Sequence, residues 1–384
     1  MTVILHPGRL AGAIAAMPSK YDLHRLMIAS HLAGMSLEGL PVISDDIAVT
    51  KECLLSMHNA QMHAVPCTEH NCRESGSTLR FLLPVFAALG RGATFTGEGR
   101  LPERPMQPLI DQLREHGCAI DRENLPITIA GRLRPGAFTL PGDVSSQYVT
   151  GLLFALPLLQ GDSEIALTSA LESRGYVDMT LRTLGKFGIV VRKTERGFQM
   201  PGGQAYQPPA GPLVPDADWS SAAFWLAANA LGSDVCVAGL GEGSAQPDRA
   251  IAGLLKELPG EIDVSQCPDL APILAVAMAL TPGERAIVNG ARLRLKESDR
   301  LHAMAANLAA LGADVTELPD GLAIRGRPML RGGMADSFGD HRIAMAMAIA
   351  ALRCEGEVTL HGAQAVGKTY PAFWEDYQRL GGRI

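Results

Sequence analysis

The stretch Arg292-Leu-Arg-Leu-Lys-Glu-Ser-Asp-Arg300 places four cations and two carboxylates in nine residues. Leu301, Met304, Leu308 and Leu311 follow at helical spacing, so Glu297 to Arg300 is expected at a helix start. Unpaired backbone N–H groups there already favour anions, and Lys296 and Arg300 add to the positive potential. Taken alone, such a run also reads as a solvated helix start with an i,i+3 pair between Glu297 and Arg300. The rest of the chain decides between these readings.

The same arrangement recurs along the chain. Helices with a polar start and an apolar body are expected near Pro18, Gly76, Ser145, Trp219, Pro268 and Asp340. A second, more amphipathic helix follows each, near Asp45, Glu103, Arg174, Pro247, Glu297 and Gly367, at an offset of about 27 to 29 positions. Strand-like runs lie between them at 41–44, 93–96, 164–167, 234–238, 286–289 and 357–360. Each second helix leads into a further strand-like piece, such as 189–192 or 313–316. Six such units at uneven spacing fit neither a doubly wound sheet nor a solenoid, and three per domain is the simplest division. The Pro- and Gly-rich stretch 201–215 falls between the third and fourth units, where a linker is expected. The first strand, Val3 to His6, could pair with either domain.

A chain of 384 residues is long for one core, and 47% apolar content is ample for two. A net charge of −6 argues against nucleic acid as a partner, leaving local cationic focusing to attract any anionic ligand. There is no signal-peptide pattern and no apolar run approaching a membrane span, which predicts a cytoplasmic protein with no membrane contact. The seven cysteines are scattered, without metal-ligand spacing, and are read as reduced packing residues.

The helix starts carry the candidate chemistry. They hold Lys20 and Arg25, Ser75 to Thr78 with Arg80, Ser145 to Gln147, Asp216 to Asp218, Cys267 to Asp269, and Asp340 to Arg342, while the second helices add Arg104, Ser173, Arg174 and Lys368. Several helix starts aimed at one ligand would make an anion site, although Ser145 or Asp340 could simply be N-caps. His24 and His341, each beside an arginine, are candidates for substrate contact. The cluster Gly239-Leu-Gly-Glu-Gly243 lacks the third glycine of a dinucleotide fingerprint and reads as a turn.

Ten motifs in order resemble the enolpyruvyl transferases, most closely the branch acting on shikimate 3-phosphate: PSKYDLHR (18–25), SDDI (44–47), ESGSTLRF (74–81), LPERP (101–105), DVSSQ (143–147), ESRGYVDMTL (172–181), CPDL (267–270), RLKESDR (294–300), GDHR (339–342) and GKTYP (367–371). The resemblance implies a two-domain inside-out α/β barrel, each domain built of three βαβαββ units, six repeats in all. It implies one domain from 1–17 with 217–384 and the other from 18–216, with hinges near 17 and 201–216. It implies transfer of the enolpyruvyl group of phosphoenolpyruvate to the 5-hydroxyl of shikimate 3-phosphate through a tetrahedral ketal, by a monomer, with no cofactor and no metal.

Carried over by motif, the resemblance implies that Asp269, Glu297 and Lys20 are catalytic. It assigns shikimate 3-phosphate to Lys20, Tyr21, Arg25, Ser145, Ser146, Gln147, Ser173, Arg174, Tyr176, Asp269 and Lys296. It assigns phosphoenolpyruvate to Lys20, Gly76, Arg104, Gln147, Arg300, Arg342 and Lys368. The chain departs from the family at Tyr21, where a serine is usual, at Arg292 and at Pro247, and the segment between Pro247 and Pro268 is short, which predicts the loss of a strand pair. The sister branch acting on UDP-N-acetylglucosamine usually carries a cysteine in the loop that is here 97–102, and this chain has none there. A catalytically silent paralogue that binds a phosphorylated ligand is the remaining alternative, supported by Tyr21 alone.

Overall fold

In the computed structural model, which describes residues 1–62 and 67–384, two compact units fold around separate apolar cores. One is Lys20–Pro215, and the other joins Met1–Ser19 to Asp216–Ile384.

The elements run in chain order as β1 (Thr2–Leu5), β2 (Ala11–Ala15), α1 (Lys20–Leu32), α2 (Asp45–Met62), β3 (Cys67–Asn71), α3 (Gly76–Leu89), β4 (Gly92–Thr96), α4 (Gln107–Glu115), β5 (Cys118–Ile120), β6 (Ile127–Gly131), β7 (Ala137–Leu140), α5 (Ser146–Ala155), β8 (Ser163–Leu167), α6 (Arg174–Lys186), β9 (Arg192–Thr194) and β10 (Gly197–Met200). They continue with α7 (Trp219–Ala230), β11 (Asp234–Ala238), α8 (Ile251–Glu257), β12 (Glu261–Asp263), α9 (Ala271–Ala279), β13 (Gly283–Val288), α10 (Arg300–Ala310), β14 (Asp314–Leu318), β15 (Gly321–Gly326), β16 (Gly333–Asp336), α11 (His341–Ala351), β17 (Val358–His361) and α12 (Phe373–Arg379).

Among the described residues, three repeats carry the full βαβαββ form, giving the sheets β3-β4-β6-β5, β7-β8-β10-β9 and β12-β13-β15-β14. In each, the first two strands are parallel and the hairpin returns antiparallel to the second. In the sheet β16-β17-β1, the strand from the chain's start pairs antiparallel with β17, as β15 does with β13. The remaining sheet is only β2-β11, because α8 ends at Glu257 and β12 begins at Glu261, too close for a hairpin. The short segment thus loses its strand pair, as the sequence predicts.

Two expected strands fall elsewhere. Residues 41–44 form none, since Pro41 has no N–H to give a ladder. The strand expected at 189–192 starts at Arg192, because the Ile189 N–H is bonded to Leu184 O (3.0 Å) and the Val190 N–H to Gln204 Oε1 (2.7 Å).

The core is helical. All residues of α9 and α11 are buried, as a helix apolar on every side requires, and α3, α5 and α7 are nearly so. The sheets lie outside them: on β1, Val3 and Leu5 point inward while Ile4 is 46% exposed. Helix starts are set by Ser75, Ser145, Asp218, Asp299 and Asp340, whose side chains accept first-turn N–H groups of α3, α5, α7, α10 and α11. The seven cysteines are free thiols.

Candidate active site

In the unit holding the 292–300 stretch, Arg300 is the hub. Its side chain is only 2% exposed and is bound to three carboxylates. Nε meets Asp340 Oδ2 at 2.7 Å, Nη1 meets Asp269 Oδ1 at 2.7 Å, and Nη2 meets Glu297 Oε2 at 2.9 Å. Burial alone would weaken this cation, but the carboxylates outweigh it and raise its pKa. The i,i+3 pair expected of a plain helix start is therefore present, as one arm of a buried network.

Asp269, delivered by the 3-10 turn Pro268–Leu270, also meets Arg342 Nη2 at 3.3 Å and Lys296 Nζ at 4.0 Å. Three cations thus surround its two oxygens. Glu297 lies between Arg300 and Lys368, whose Nζ is 4.0 Å from Oε1. Lys296 keeps 25% of its side-chain exposure, yet burial of its ammonium lowers its pKa to about 8, against the pull of Asp269. Asp340 is at once the N-cap of α11, accepting from Arg342 N at 2.9 Å, and the bidentate partner of Arg300. Arg292 donates to Ser265 O (2.9 Å), whereas Arg294 braces the turn through Asp299 and Glu317.

The 20–215 unit builds a second cluster. Lys20 Nζ is paired with Asp46 Oδ2 at 3.0 Å, both side chains nearly buried. The Tyr21 ring packs on Tyr176 with centroids 4.8 Å apart, and the Lys20 ammonium lies 5.5 Å from the Tyr21 ring centre. Tyr21 therefore lies beside a residue expected at shikimate 3-phosphate, rather than turned away from it. Arg25 is buried and ties α1 to α6, donating to Thr180 Oγ1 (2.8 Å), Tyr176 O (2.8 Å) and Tyr21 O (2.6 Å). Burial lowers its pKa to about 10, which still leaves it charged at neutral pH.

At the start of α3, a Cβ on Gly76 would come within 2.8 Å of Nη1 of both Arg80 and Arg104. Glycine is what lets two guanidinium groups converge over a helix N-terminus. Arg80 fixes Gln147 by donating to its Oε1 (2.8 Å), and Gln147 Nε2 donates to Ser77 Oγ (2.9 Å). Ser145 caps α5, and Ser146 is buried in its first turn. Ser173 precedes α6 in the left-handed region (φ 54°) and is 2% exposed, a conformation that a non-glycine residue keeps at a cost of about 1 kcal/mol or more. Arg174, Lys193 and Arg196 border an open cleft of about 810 Å³.

The structure thus gathers Asp269, Lys296, Glu297, Arg300, Arg342 and Lys368 in one unit, and Lys20, Tyr21, Arg25 and Tyr176, with Gly76, Arg104 and Gln147, in the other. His24, expected to touch substrate, is 1% exposed and sealed beneath α1, and burial lowers its pKa to about 3. His341 is 1% exposed as well, with Nδ1 3.6 Å from Asp340. Sequence reasoning missed Asp46 as the partner of Lys20, although it lies in the SDDI motif, and Asp340 as the partner of Arg300.

Outward sheets on buried helices thus carry an arginine–carboxylate network at the starts of α10 and α11. A family model described as EPSP synthase (3-phosphoshikimate 1-carboxyvinyltransferase) matches residues 4–262 and 252–377. The chain is 42% identical over 419 residues to the 3-phosphoshikimate 1-carboxyvinyltransferase of Clostridium kluyveri, covering 100% of this chain and 98% of the relative. It is 41% identical over 428 residues to that of Clostridium acetobutylicum, with the same coverage. Among solved structures, EPSP synthase from Acinetobacter baumannii aligns with a TM-score of 0.79 at 25% identity, covering 99% of this chain and 98% of that one. The chain belongs to the EPSP synthase family.

Proposed function

We propose that this enzyme transfers the enolpyruvyl group of phosphoenolpyruvate to the 5-hydroxyl of shikimate 3-phosphate and releases inorganic phosphate. The observation that carries the reading is the Asp269–Arg300–Glu297 network, in which two carboxylates are held 2.7 and 2.9 Å from one buried guanidinium. Addition requires the hydroxyl to lose a proton as its oxygen attacks C2, while C3 gains one. The resulting ketal then loses a proton from C3 as the C2–O bond to phosphate breaks.

Two groups of different character serve these steps. Asp269, ringed by Arg300, Arg342 and Lys296, takes the hydroxyl proton and orients shikimate 3-phosphate together with Lys296. Glu297, with Lys368 beside it, gives the proton to C3 and takes it back. Lys20 presents its ammonium to the anionic groups at the substrate junction, and Asp46 holds it in place. Tyr21, Arg25, Ser145, Ser146, Gln147, Ser173, Arg174 and Tyr176 receive shikimate 3-phosphate. Gly76, Arg104, Gln147, Arg300, Arg342 and Lys368 receive phosphoenolpyruvate, whose phosphate and carboxylate suit forked donors.

Phosphate release from phosphoenolpyruvate is the test. Release that requires shikimate 3-phosphate supports the reading, whereas release driven by UDP-N-acetylglucosamine alone, or none with either acceptor, overturns it.

A further inference from the structure

Beneath the first turns of α1, α2 and α3 runs a buried line of polar groups to which the reaction above assigns no part. His24 Nδ1 lies 2.8 Å from Thr50 Oγ1, Thr50 Oγ1 lies 2.6 Å from Thr78 Oγ1, and Thr78 Oγ1 donates to Ser75 Oγ at 2.7 Å. None of the four residues is more than 2% exposed. The first two links cross from α1 to α2 and from α2 to α3, and the third runs within α3 to its N-cap, the residue before Gly76.

The line has a direction. Among the described residues, His24 Nε2 is buried without a hydrogen-bond partner, so the proton belongs on Nδ1, where it has an acceptor. An orphaned N–H at Nε2 would cost more than an orphaned lone pair. Burial lowers the His24 pKa to about 3, so the ring is neutral at working pH and carries that one proton. With Nδ1 donating to Thr50, the Thr50 hydrogen goes to Thr78 at 2.6 Å, in preference to Asp46 O at 3.2 Å, and the Thr78 hydrogen goes to Ser75. Each hydroxyl is thereby oriented toward α3, and Ser75 is left as an acceptor for both Thr78 groups, N and Oγ1.

We infer that His24 is a positioning residue for enolpyruvyl transfer: through Thr50 and Thr78 it fixes Ser75 and the first turn of α3, where Gly76 and Arg104 receive phosphoenolpyruvate. The inference rests on the reading given under Proposed function. Lys20 has its own brace in Asp46, so loss of the relay acts on the α3 side and leaves the α1 side in place.

The test uses the full chain and steady-state phosphate release. His24→Leu and Thr50→Val should each raise the KM for phosphoenolpyruvate about 10-fold, while the KM for shikimate 3-phosphate stays within about two-fold. His24→Asn, which can still donate near the Nδ1 position, and Thr50→Ser should stay within about three-fold of the parent for both substrates. Thermal melting monitors folding, and Thr78→Val breaks the same line from α3 should Thr50→Val fail to fold. A parent that releases no phosphate overturns the assigned reaction and this inference with it. An active parent whose Leu and Val variants change both KM values equally, or neither, overturns this inference alone.

Discussion

Arg300 and Asp340 are joined twice, Nε to Oδ2 at 2.7 Å and Nη2 to Oδ1 at 3.4 Å, with side chains 2% and 0% exposed. The same Asp340 caps α11, so one carboxylate couples the starts of α10 and α11. Removing the cation would leave Asp340, Asp269 and Glu297 with their shared partner gone. Arg300→Leu should therefore lower unfolding stability by about 3 to 5 kcal/mol, the cost of breaking a buried ion network from one side. Urea denaturation of parent and variant measures this, and a difference below about 1 kcal/mol would show that the network relaxes without it.

Glu297 has little freedom to be replaced by chance chemistry, since Arg300 and Lys368 fix its two oxygens. Glu297→Gln keeps the shape and removes the proton. Turnover should fall roughly 100-fold or more while both substrates still bind. Turnover within a few-fold of the parent would remove Glu297 from the proposed acid–base role.

The lowered pKa of Lys296 gives a pH dependence with a definite sign. In the folded enzyme this side chain loses its charge near pH 8 rather than near its ordinary 10.5. kcat/KM for shikimate 3-phosphate, which reports the free enzyme, should fall as pH rises through about 8, and Lys296→Arg should move that limb to higher pH. The stability contribution runs the other way. Between the folded and unfolded pKa values the unfolded chain binds more protons, so the penalty of the buried ammonium is full below pH 8 and is relieved as pH rises to 10.5. An unchanged limb in the arginine variant would assign the titration elsewhere.

Tyr21 packs on Tyr176, so its ring occupies space on the side of the cluster assigned to shikimate 3-phosphate. Its phenol cannot reproduce the contact of a serine hydroxyl from the same backbone position. Tyr21→Ser should lower the apparent constant for shikimate 3-phosphate roughly 10-fold, with a smaller effect on phosphoenolpyruvate. Equal affinity in both proteins would make Tyr21 a neutral neighbour.

Gly76→Ala places a methyl group 2.8 Å from the Nη1 atoms of Arg80 and Arg104. Both are the far ends of flexible side chains, so the fold should tolerate the change with little loss of melting temperature. The KM for phosphoenolpyruvate should rise about 10-fold or more as the guanidinium groups are displaced. A KM within about two-fold of the parent would mean that neither arginine contacts that substrate.

Local rules made much of this legible from the sequence. Ser75, Ser145, Asp218 and Asp340 announce helix starts because a short polar side chain ahead of an apolar run has one favoured use. Residues 41–44 misled because the β-branched pair Val42 and Ile43 was weighed above Pro41, which has no N–H to give a ladder. The pairs within the site were harder to see. Lys20 and Asp46 are 26 positions apart, as are His24 and Thr50, and Thr50 and Thr78 are 28 apart. Those separations approximate the offset between neighbouring helices, so the spacing carried the contacts, but it did not say which side chains turn toward one another. Arg300 and Asp340, 40 positions apart, fall outside that spacing and had no local signal.

The pairing of β1 with β17 constrains the order in which the molecule can be made. The first strand is made long before its partner at Val358–His361, with both units' other elements between them in the chain. Lys20–Pro215 is continuous in the chain and can close its own core while translation proceeds. Val3 and Leu5 must instead stay without their sheet until Val358–His361 has been made. A nascent chain stalled shortly after Pro215 should thus carry one folded unit behind an unstructured leader, which protease digestion would trim from the front.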